Sequence, residues 1–420
     1  MTSSNRAERP SVAIAGAGLA GLCLAQCLVR AGIDVQVYEA DPGPFVRPQG
    51  YRITVDEHGM AALRQSLPPA LMTLALATAG EPGGYFRFTN NRLRDAVKLT
   101  FDAEPDGGRQ MDRQILRSVL LVGLEDRVHY GKAAVGLEPV GRDELVLRFA
   151  DETSVRASVV VGADGIGSAL RHHILRGAEP VDTGMGGIYG RTKLVQEGAN
   201  VLPDVLRKSG VLAIGETPGR AFFFTSMRFH EPPQDAFARL APGRQVAAGD
   251  DYVMWGITLK DNEIPVNDNE ADPVALRHLA ERLASGFHPL VRRLISAADQ
   301  DAALLTTFAV GQRPGTWALP RSTLIGDAVH AMPPFGAHGG NTALRDAALL
   351  GQRIAAACAG EISIESAISG YHHEMVRYAF KSVDTAAKMM HRLAGSGRFQ
   401  RWLLLNMSPR LHRPTVTDAQ

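Results

Sequence analysis

Residues 11–22 read Ser11-Val-Ala-Ile-Ala-Gly-Ala-Gly-Leu-Ala-Gly-Leu22, and the pattern of these residues indicates the fold. A β-type run over residues 11–15 is followed by three glycines with the spacing G-x-G-x-x-G and by an apolar, helical run up to Arg30. A second β-type run, Val35–Tyr38, ends in Glu39. Strand, glycine turn, helix, strand and acid occur in the order of a βαβ unit that binds a dinucleotide. The sequence therefore predicts an α/β, Rossmann-like domain near the start of the chain.

The three glycines and the acid have separate roles in such a unit. Gly16 permits a tight turn, Gly18 lets the backbone approach a pyrophosphate, and Gly21 lets the helix pack closely on the strand. The diphosphate would lie at the N-terminus of the helix, where free N–H groups and the positive end of the dipole face it. Glu39 is placed to accept hydrogen bonds from ribose hydroxyls, and its charge would repel a 2′-phosphate. We therefore expect FAD or NAD at this turn, rather than NADP.

Composition narrows the class of protein further. The chain has 420 residues, of which 45% are hydrophobic and 21% charged, and its 45 Lys and Arg nearly balance 44 Asp and Glu. Because neither sign forms a long run, we expect neither nucleic acid nor a membrane as a partner. Three cysteines, Cys23, Cys27 and Cys358, are too few for a disulfide framework and indicate buried thiols in a reducing, cytoplasmic setting. Glu8 and the interrupting glycines argue against a signal peptide over residues 12–29.

Two later segments favour FAD over NAD. The first, residues 159–171, is a β-type run that breaks at Asp164-Gly165. The second, residues 323–344, contains Gly326-Asp327, then a Pro-Pro-Phe-Gly turn, then a Gly-Gly-Asn opening to an apolar helix over residues 342–359. The N–H groups at the start of that helix would face the pyrimidine edge of a flavin, where negative charge collects on reduction. A plain NAD enzyme would have no use for this second segment.

With these motifs in this order, the sequence resembles the class A flavoprotein monooxygenases, the aromatic-hydroxylase family typified by p-hydroxybenzoate hydroxylase and the tetracycline-modifying monooxygenase. The resemblance covers about residues 10–375. It implies that NADPH or NADH donates a hydride to FAD, that O₂ forms a flavin C(4a)-hydroperoxide, and that one oxygen passes to a hydrophobic aromatic or polycyclic small molecule. The protein's share of such chemistry is to hold the ring, exclude water and orient the substrate.

The resemblance also assigns roles to single residues. It implies that Arg113 lies near the phosphate and ribityl chain, that Asp164 holds the ribityl and pyrophosphate region, and that Asp327 holds a ribityl hydroxyl. Arg47 is similar to the arginine that accompanies a mobile flavin in the family, although it also suits a solvated loop. His338 stands where the family commonly has glutamine, and it either donates to reduced flavin or only packs against the helix. His330, beside the Gly-Asp motif, is expected to be structural, and Arg171 matches a family arginine.

The predicted site follows from these assignments. Catalysis is expected to be centred on the flavin, with Arg47 and His338 as the candidate side chains and with no metal. Aromatic residues concentrate on the β-runs in the middle of the chain, and Phe222, Phe224 and Trp255 are predicted to line a substrate pocket above the flavin. The predicted cofactor-binding residues are Gly16, Gly18, Leu19, Ala20, Gly21, Glu39, Arg47, Arg113, Asp164, Gly326, Asp327, Pro334, Gly336, Gly339, Gly340 and Asn341.

The family pattern predicts a discontinuous FAD-binding domain made of residues 10–78, 102–178 and 303–370. Residues 79–101 and 179–302 are expected to form an inserted mixed or antiparallel sheet for the substrate, and residues 371–420 a C-terminal helical segment. The monomer and the dimer both remain open. So do an FAD-dependent epoxidase, cyclase or dehydrogenase on the same fold and a non-catalytic flavin-binding protein. A flavin halogenase is disfavoured because its Trp-x-Trp-x-Ile-Pro segment is absent from the sequence.

Overall fold

The computed structural model describes residues 10–46, 50–80, 85–100, 108–194, 209–265 and 272–393. Its strands are β1 (Val12–Ala15), β2 (Val35–Tyr38), β3 (Arg52–Val55), β4 (Tyr85–Asn90), β5 (Asp95–Thr100), β6 (Arg109–Asp112), β7 (Val128–His129), β8 (Ala134–Val140), β9 (Glu144–Phe149), β10 (Ser154–Ala157), β11 (Val159–Gly162), β12 (Val181–Lys193), β13 (Ser209–Ile214), β14 (Ala221–Met227), β15 (Tyr252–Lys260), β16 (Leu304–Val310) and β17 (Ser322–Leu324). Its helices are α1 (Leu19–Arg30), α2 (Glu57–Ser66), α3 (Pro69–Ala77), α4 (Arg113–Leu121), α5 (Arg171–Ile174), α6 (Pro233–Leu240), α7 (Pro273–Leu283), α8 (Pro289–Ser296), α9 (Asp327–His330), α10 (His338–Cys358) and α11 (Ile364–Leu393).

The predicted βαβ unit is part of a five-stranded parallel sheet with the order β17-β11-β1-β2-β7. Val12 on β1 pairs with Val35 on β2 and with Val159 on β11. Every residue of β1 and β11 is buried, as expected for a parallel sheet that is covered on both faces. The strands come from three separate parts of the chain, so this Rossmann-like sheet is discontinuous in sequence. The predicted fold class is confirmed.

A second, seven-stranded sheet has the order β16-β12-β15-β14-β13-β4-β5. Its neighbours pair antiparallel except β13 and β4, which are parallel, so the sheet is mixed. The edge strand β16 pairs with β12, with Leu305 opposite Ile188. The sheet therefore extends beyond the predicted boundary at residue 302. After α8 the chain runs beside β12 as strand β16, and only then does it re-enter the parallel sheet at β17.

One face of this sheet packs against α7 and α8 and forms a core of its own. Phe222, Phe224 and Trp255 lie in that core with no exposed surface, and the rings of Phe222 and Trp255 stack with centroids 6.3 Å apart. The indole N–H of Trp255 donates to the hydroxyl of Thr192 at 3.2 Å. These three residues were predicted to line the substrate pocket, and the structure corrects that prediction. They occupy the face that the helices cover.

Two long helices complete the fold. The helix predicted to begin at Thr342 begins four residues earlier, at His338, directly after Ala337 adopts a left-handed conformation with φ of 57°. Helix α11 packs along α10. The rest of the predicted C-terminal helical segment, residues 394–420, lies outside the described residues. No helix in the described ranges is both long enough and apolar enough to cross a membrane.

The three cysteines carry free thiols. Cys23 and Cys27 are buried on α1, and Cys358 at the end of α10 is half-buried. Burial raises the pKa of the Cys23 thiol to about 12, so this thiol is un-ionised and unreactive at neutral pH. Among the described residues, no group of three or more His, Cys, Asp or Glu side chains is arranged to hold a metal ion.

Candidate cofactor and substrate site

A continuous cavity of about 1900 Å³ is lined by both sheets. Its walls include the glycine turn after β1, the turn before α9, the loop before α10 and one face of the seven-stranded sheet. Pockets for single small ligands usually enclose about 300–1,000 Å³. The cavity therefore has room for a dinucleotide and a second ligand together.

The three glycines of the first turn have different roles in packing and in the cavity wall. Gly16 has φ of +108°, and a Cβ atom there would lie 2.3 Å from the carbonyl oxygen of Ala163. A Cβ atom on Gly21 would lie 2.0 Å from the carbonyl oxygen of Gly16. A Cβ atom on Gly18 would meet nothing within 4 Å, because this residue faces the cavity. Packing thus requires Gly16 and Gly21, whereas Gly18 leaves an open backbone surface at the N-terminus of α1.

Glu39 lies at the end of β2 and lines the cavity beside this turn. It is buried, and its carboxylate accepts the N–H of Ala17 at 2.6 Å and the N–H of Asp41 at 3.0 Å. The carboxylate therefore holds the glycine turn in place in addition to facing the cavity. This position suits the predicted contact with a ribose.

Arg117, which was not predicted from the sequence, holds the same turn through hydrogen bonds from its guanidinium group. Its side chain is 2% exposed, and its Nε donates to the carbonyl oxygen of Ala17 at 2.7 Å. One terminal nitrogen donates to the carbonyl oxygen of Pro44. The sequence offered one signal: Arg117 falls among Leu116, Val119 and Leu120 on the buried side of the amphipathic α4.

Two predicted cofactor contacts carry polar atoms that lack partners. Arg113 lines the cavity, and its Nε is buried with no hydrogen-bond partner among the described residues. Asp164 also lines the cavity, where its Oδ2 accepts the N–H of Leu170 at 3.3 Å and its Oδ1 is buried without a partner. Burial raises the pKa of the Asp164 carboxyl, while a hydrogen bond from Ser168 opposes the rise. Buried polar groups normally find partners, so these atoms fit a ligand with phosphate and hydroxyl groups.

A buried carboxylate fixes the turn that presents Asp327 to the cavity. Oδ2 of Asp346, on α10, accepts the N–H of Gly326 at 2.8 Å and lies 2.6 Å from Nε2 of His330. Oδ1 of Asp346 accepts the hydroxyl proton of Tyr378, on α11, at 2.5 Å. Burial disfavours the charged imidazole, but the attraction of Asp346 and its hydrogen bond together raise the pKa of His330 above the usual 6.5. His330 is fully buried and does not line the cavity, which fits a structural role.

The loop before α10 and the first turn of that helix form the next part of the wall. Pro334, Gly336, His338, Gly339 and Gly340 all line the cavity, and His338 is half-buried there. The N-terminus of a 21-residue helix is thereby aimed at the ligand space. These placements agree with the predicted position of the flavin-binding helix.

Asn341 has a different position from the one expected of a cofactor contact. Its Nδ2 donates to the carbonyl oxygen of Thr54 at 2.9 Å, and its Oδ1 accepts the N–H of Asp56 at 2.9 Å. It is buried and is not part of the cavity wall. Its side chain therefore ties the start of α10 to β3. Gly21 likewise packs beneath the cavity, and Arg47 lies outside the described residues.

The free face of the seven-stranded sheet supplies an apolar wall. Phe223 on β14 and Met254 on β15 line the cavity, together with Phe86 and Tyr189. The rings of Phe86 and Phe223 are stacked, with centroids 6.1 Å apart and planes at 17°. A Cβ atom on Gly256 would lie 2.7 Å from the ring of Tyr189, so the glycine leaves room for that ring to lie flat on the sheet. The wall suits a flat, apolar ligand.

Comparisons with known proteins identify the family. A family model described as an NAD(P)-binding Rossmann-like domain matches residues 14–72, and one described as an FAD binding domain matches residues 142–386, more than half of the chain. The 3-amino-4-hydroxybenzoate 2-monooxygenase of Streptomyces platensis is 30% identical over 367 residues, covering 83% of this chain and 81% of that protein. The chain belongs to the FAD-dependent monooxygenase family. The resemblance drawn from the motifs, and FAD as the cofactor, are thereby confirmed.

The chain is also similar to a much longer relative and to a solved structure. The dual O-methyltransferase/FAD-dependent monooxygenase of Cercospora nicotianae is 29% identical over 378 residues, which cover 82% of this chain. This chain spans 42% of the length of that relative. A provisionally assigned FAD containing monooxygenase from Photorhabdus luminescens subsp. laumondii TTO1 superimposes with a TM-score of 0.77 at 27% identity, covering 92% of this chain and 98% of that one.

For an FAD-dependent monooxygenase, the position of Arg117 leads to a prediction about cofactor retention. Replacing Arg117 with methionine leaves the buried carbonyl groups of Ala17 and Pro44 without their donor, at a cost of about 1.5–3 kcal/mol. We expect the dissociation constant for FAD to rise about tenfold or more, because the turn that faces the diphosphate loses its support. Titration of the FAD-free protein with FAD, followed by flavin fluorescence, measures the change.

The matched control is Arg127→Met. Arg127 makes an exposed pair with Asp34 at 3.4 Å, with the aspartate side chain 61% exposed, and its loss should change stability by less than about 1 kcal/mol. Equal FAD affinity in the Arg117→Met variant and the wild type would show that this arginine does not support the turn.

Proposed function

We propose that this chain is an FAD-dependent monooxygenase that uses NADPH or NADH and O₂ to hydroxylate a hydrophobic aromatic or polycyclic small molecule. One oxygen atom of O₂ enters the substrate and the other leaves as water, with the nicotinamide supplying the two electrons as hydride. The observation that carries this proposal is the single continuous cavity that joins the glycine turn of Gly18 to the apolar wall around Phe223. A purely structural flavin would not require a second space, lined by aromatic side chains, beside it.

Bound FAD supplies the redox and oxygen chemistry, and the chain's residues hold and shelter it. In this proposal the open backbone at Gly18 and the N-terminus of α1 face the diphosphate, and Glu39 accepts from the ribose. Arg113 and Asp164 offer their unpartnered atoms to the phosphate and ribityl groups, and Asp327 lies exposed at the turn where a ribityl hydroxyl can reach it. The predicted contacts at Leu19, Ala20, Gly326, Pro334, Gly336, Gly339 and Gly340 complete the wall.

The apolar wall has two tasks in this reaction. Phe223, Met254 and Phe86 offer a flat surface for an aromatic ring, and they exclude water from the space where oxygen is transferred. The relative from Streptomyces platensis acts, by its name, on an aromatic molecule, 3-amino-4-hydroxybenzoate. That relationship supports an aromatic substrate here. His338, half-buried in the cavity wall at the start of α10, remains the candidate donor to reduced flavin.

The test is a screen of aromatic and polycyclic compounds for those that stimulate NADPH or NADH oxidation by the FAD-loaded protein. We expect at least one compound to raise the oxidation rate and to be recovered with one added oxygen atom. The Gly18→Val variant, freed of FAD, is the control and should show no stimulated oxidation. Stimulated oxidation that yields only hydrogen peroxide marks a compound that binds without being the substrate. Products that are dehydrogenated or cyclised without added oxygen would overturn the hydroxylase proposal in favour of the alternative activities.

A further inference from the structure

Arg52 is a cation in the cavity wall that the proposed cofactor contacts do not use. It is the first residue of β3, and its side chain is partly exposed to the cavity. Its Nε is buried and has no hydrogen-bond partner among the described residues. Burial lowers the pKa of its guanidinium to about 10, while nearby Tyr252 opposes that shift, so the group is still charged at neutral pH.

The carboxylate opposite Arg52 already accepts hydrogen bonds from other groups. Strands β3 and β6 pair with Arg52 directly across from Asp112. Oδ1 of Asp112 accepts the N–H groups of Gln114 and Ile115, each at 2.9 Å, as the cap of α4. Its Oδ2 accepts the hydroxyl proton of Tyr252 at 2.7 Å. No ion pair joins Arg52 to a carboxylate of the described residues, and such an unpaired, largely desolvated cation favours an anionic ligand.

Tyr252, a neighbour of this cation, belongs to a cluster of aromatic and apolar side chains. The ring of Tyr51 lies edge-on to the ring of Tyr252, with centroids 6.2 Å apart, and the Tyr51 hydroxyl is buried with no hydrogen-bond partner among the described residues. Tyr51 and Tyr252 pack with Met254 and Tyr189, and three of these four side chains, all but Tyr252, line the cavity. This part of the cavity therefore combines a cation with an apolar wall for a ring.

We propose that Arg52 binds an anionic oxygen of an aromatic ligand, either a carboxylate or an ionised phenol, at the sheet end of the cavity. A planar guanidinium matches such oxygens with two parallel hydrogen bonds. The inference rests on the proposed function, because it assigns the second ligand of that cavity. Arg52 is thus a specificity-determining residue, separate from Arg113, which packs against Gly50 on the neighbouring turn.

The test measures binding to the FAD-loaded protein by equilibrium dialysis at pH 8. Two pairs of probes separate the two sources of negative charge: 2-naphthoate against neutral 2-naphthamide, and 4-nitrophenolate against neutral 4-nitroanisole. We expect the wild type to prefer at least one anion over its neutral partner by about tenfold or more, as for hydrogen bonds to a charged group. Arg52→Met should abolish the preference and Arg52→Lys should keep part of it. Arg109→Met, on the neighbouring strand and in the same cavity wall, should leave the preference unchanged.

Other results of this experiment would contradict the proposed role of Arg52. Equal affinity for anionic and neutral probes, no binding of either anion, or a preference that survives in Arg52→Met would overturn it. FAD content and melting temperature are measured on every variant. A folded Arg52→Met variant that has lost FAD would place Arg52 on the cofactor and overturn this inference alone. A wild-type protein that never retains FAD would contradict the proposed function instead.

Discussion

Replacing Gly18 with valine should leave the chain folded and lower its affinity for FAD by about a hundredfold or more, a loss of about 3 kcal/mol. A Cβ atom at this residue meets no protein atom within 4 Å, so the substitution costs the fold little. The added side chain projects into the cavity at the N-terminus of α1, where the backbone must approach the diphosphate. Fluorescence titration with FAD measures the affinity, and circular dichroism checks the fold.

Two further glycine variants make this result specific. Gly21→Ala places a Cβ atom 2.0 Å from the carbonyl oxygen of Gly16, so it should lower the melting temperature and the yield of folded protein. Gly286→Val is the neutral control, because a Cβ atom there also meets nothing within 4 Å and the residue is not part of the cavity wall. Normal FAD binding by the Gly18→Val variant would place the diphosphate elsewhere and refute the assignment.

Removing the carboxylate of Asp346 should destabilise the protein by about 3–5 kcal/mol, as expected when one partner of a buried ion pair is lost. In Asp346→Ala the imidazole of His330, the hydroxyl of Tyr378 and the N–H of Gly326 all lose their shared acceptor. The turn that carries Asp327 then loses its support, so FAD affinity should also fall. Urea unfolding gives the free energy of unfolding.

Asp384→Ala is the control for this variant. Asp384 pairs with Arg313 at 2.9 Å on the surface, where both side chains are more than half exposed, and its loss should cost less than about 1 kcal/mol. A similar small loss for Asp346→Ala would mean that the buried network does not stabilise the turn.

The same network predicts a pH dependence. The folded-state pKa of His330 is raised above 6.5, so the stability that its charge contributes is fully present below pH 6.5. That contribution is lost as the pH rises through the higher, folded-state pKa. We expect the melting temperature of the wild type to fall over this range and the fall to be smaller in His330→Gln. An identical pH profile in both proteins would contradict a charged His330.

The sequence predicted the parallel sheet and its cofactor turns well because their constraints are local. Gly16 needs a positive φ and Gly21 a close approach, and both demands are met within one short motif. The same holds for Gly326, which has φ of +63° directly before Asp327. In each case the glycine pattern itself reports the geometry of the backbone.

The inserted sheet was predicted less well for a physical reason. Alternation along a strand shows that Phe222 and Phe224 share one face and that Phe223 has the other, but it does not show which face is covered. Helices α7 and α8 decide that, and they cover the face that holds Trp255. Phe223 and Met254 therefore line the cavity, and the three residues that were predicted to line it do not.

Long-range partners explain the other residues that the sequence reasoning missed. Arg117 binds the carbonyl oxygen of Ala17, 100 residues earlier in the chain, and no local pattern marks that pairing. Asp346 binds the N–H of Gly326, which is 20 residues earlier and reaches it only through the packing of α10. Asn341 was expected to touch the cofactor, yet its side chain satisfies the backbone of Thr54 and Asp56.

Hydroxylation of the substrate by O₂ is tested most directly with ¹⁸O₂. The FAD-loaded protein is incubated under ¹⁸O₂ with NADPH or NADH and with a compound that stimulates nicotinamide oxidation. The mass of the product is then measured by mass spectrometry. We expect one ¹⁸O atom in each molecule of hydroxylated product, with the second atom in water, and no product from the Gly18→Val variant. A product whose added oxygen comes from unlabelled water, or an oxidised product with no added oxygen, would rule out hydroxylation by O₂.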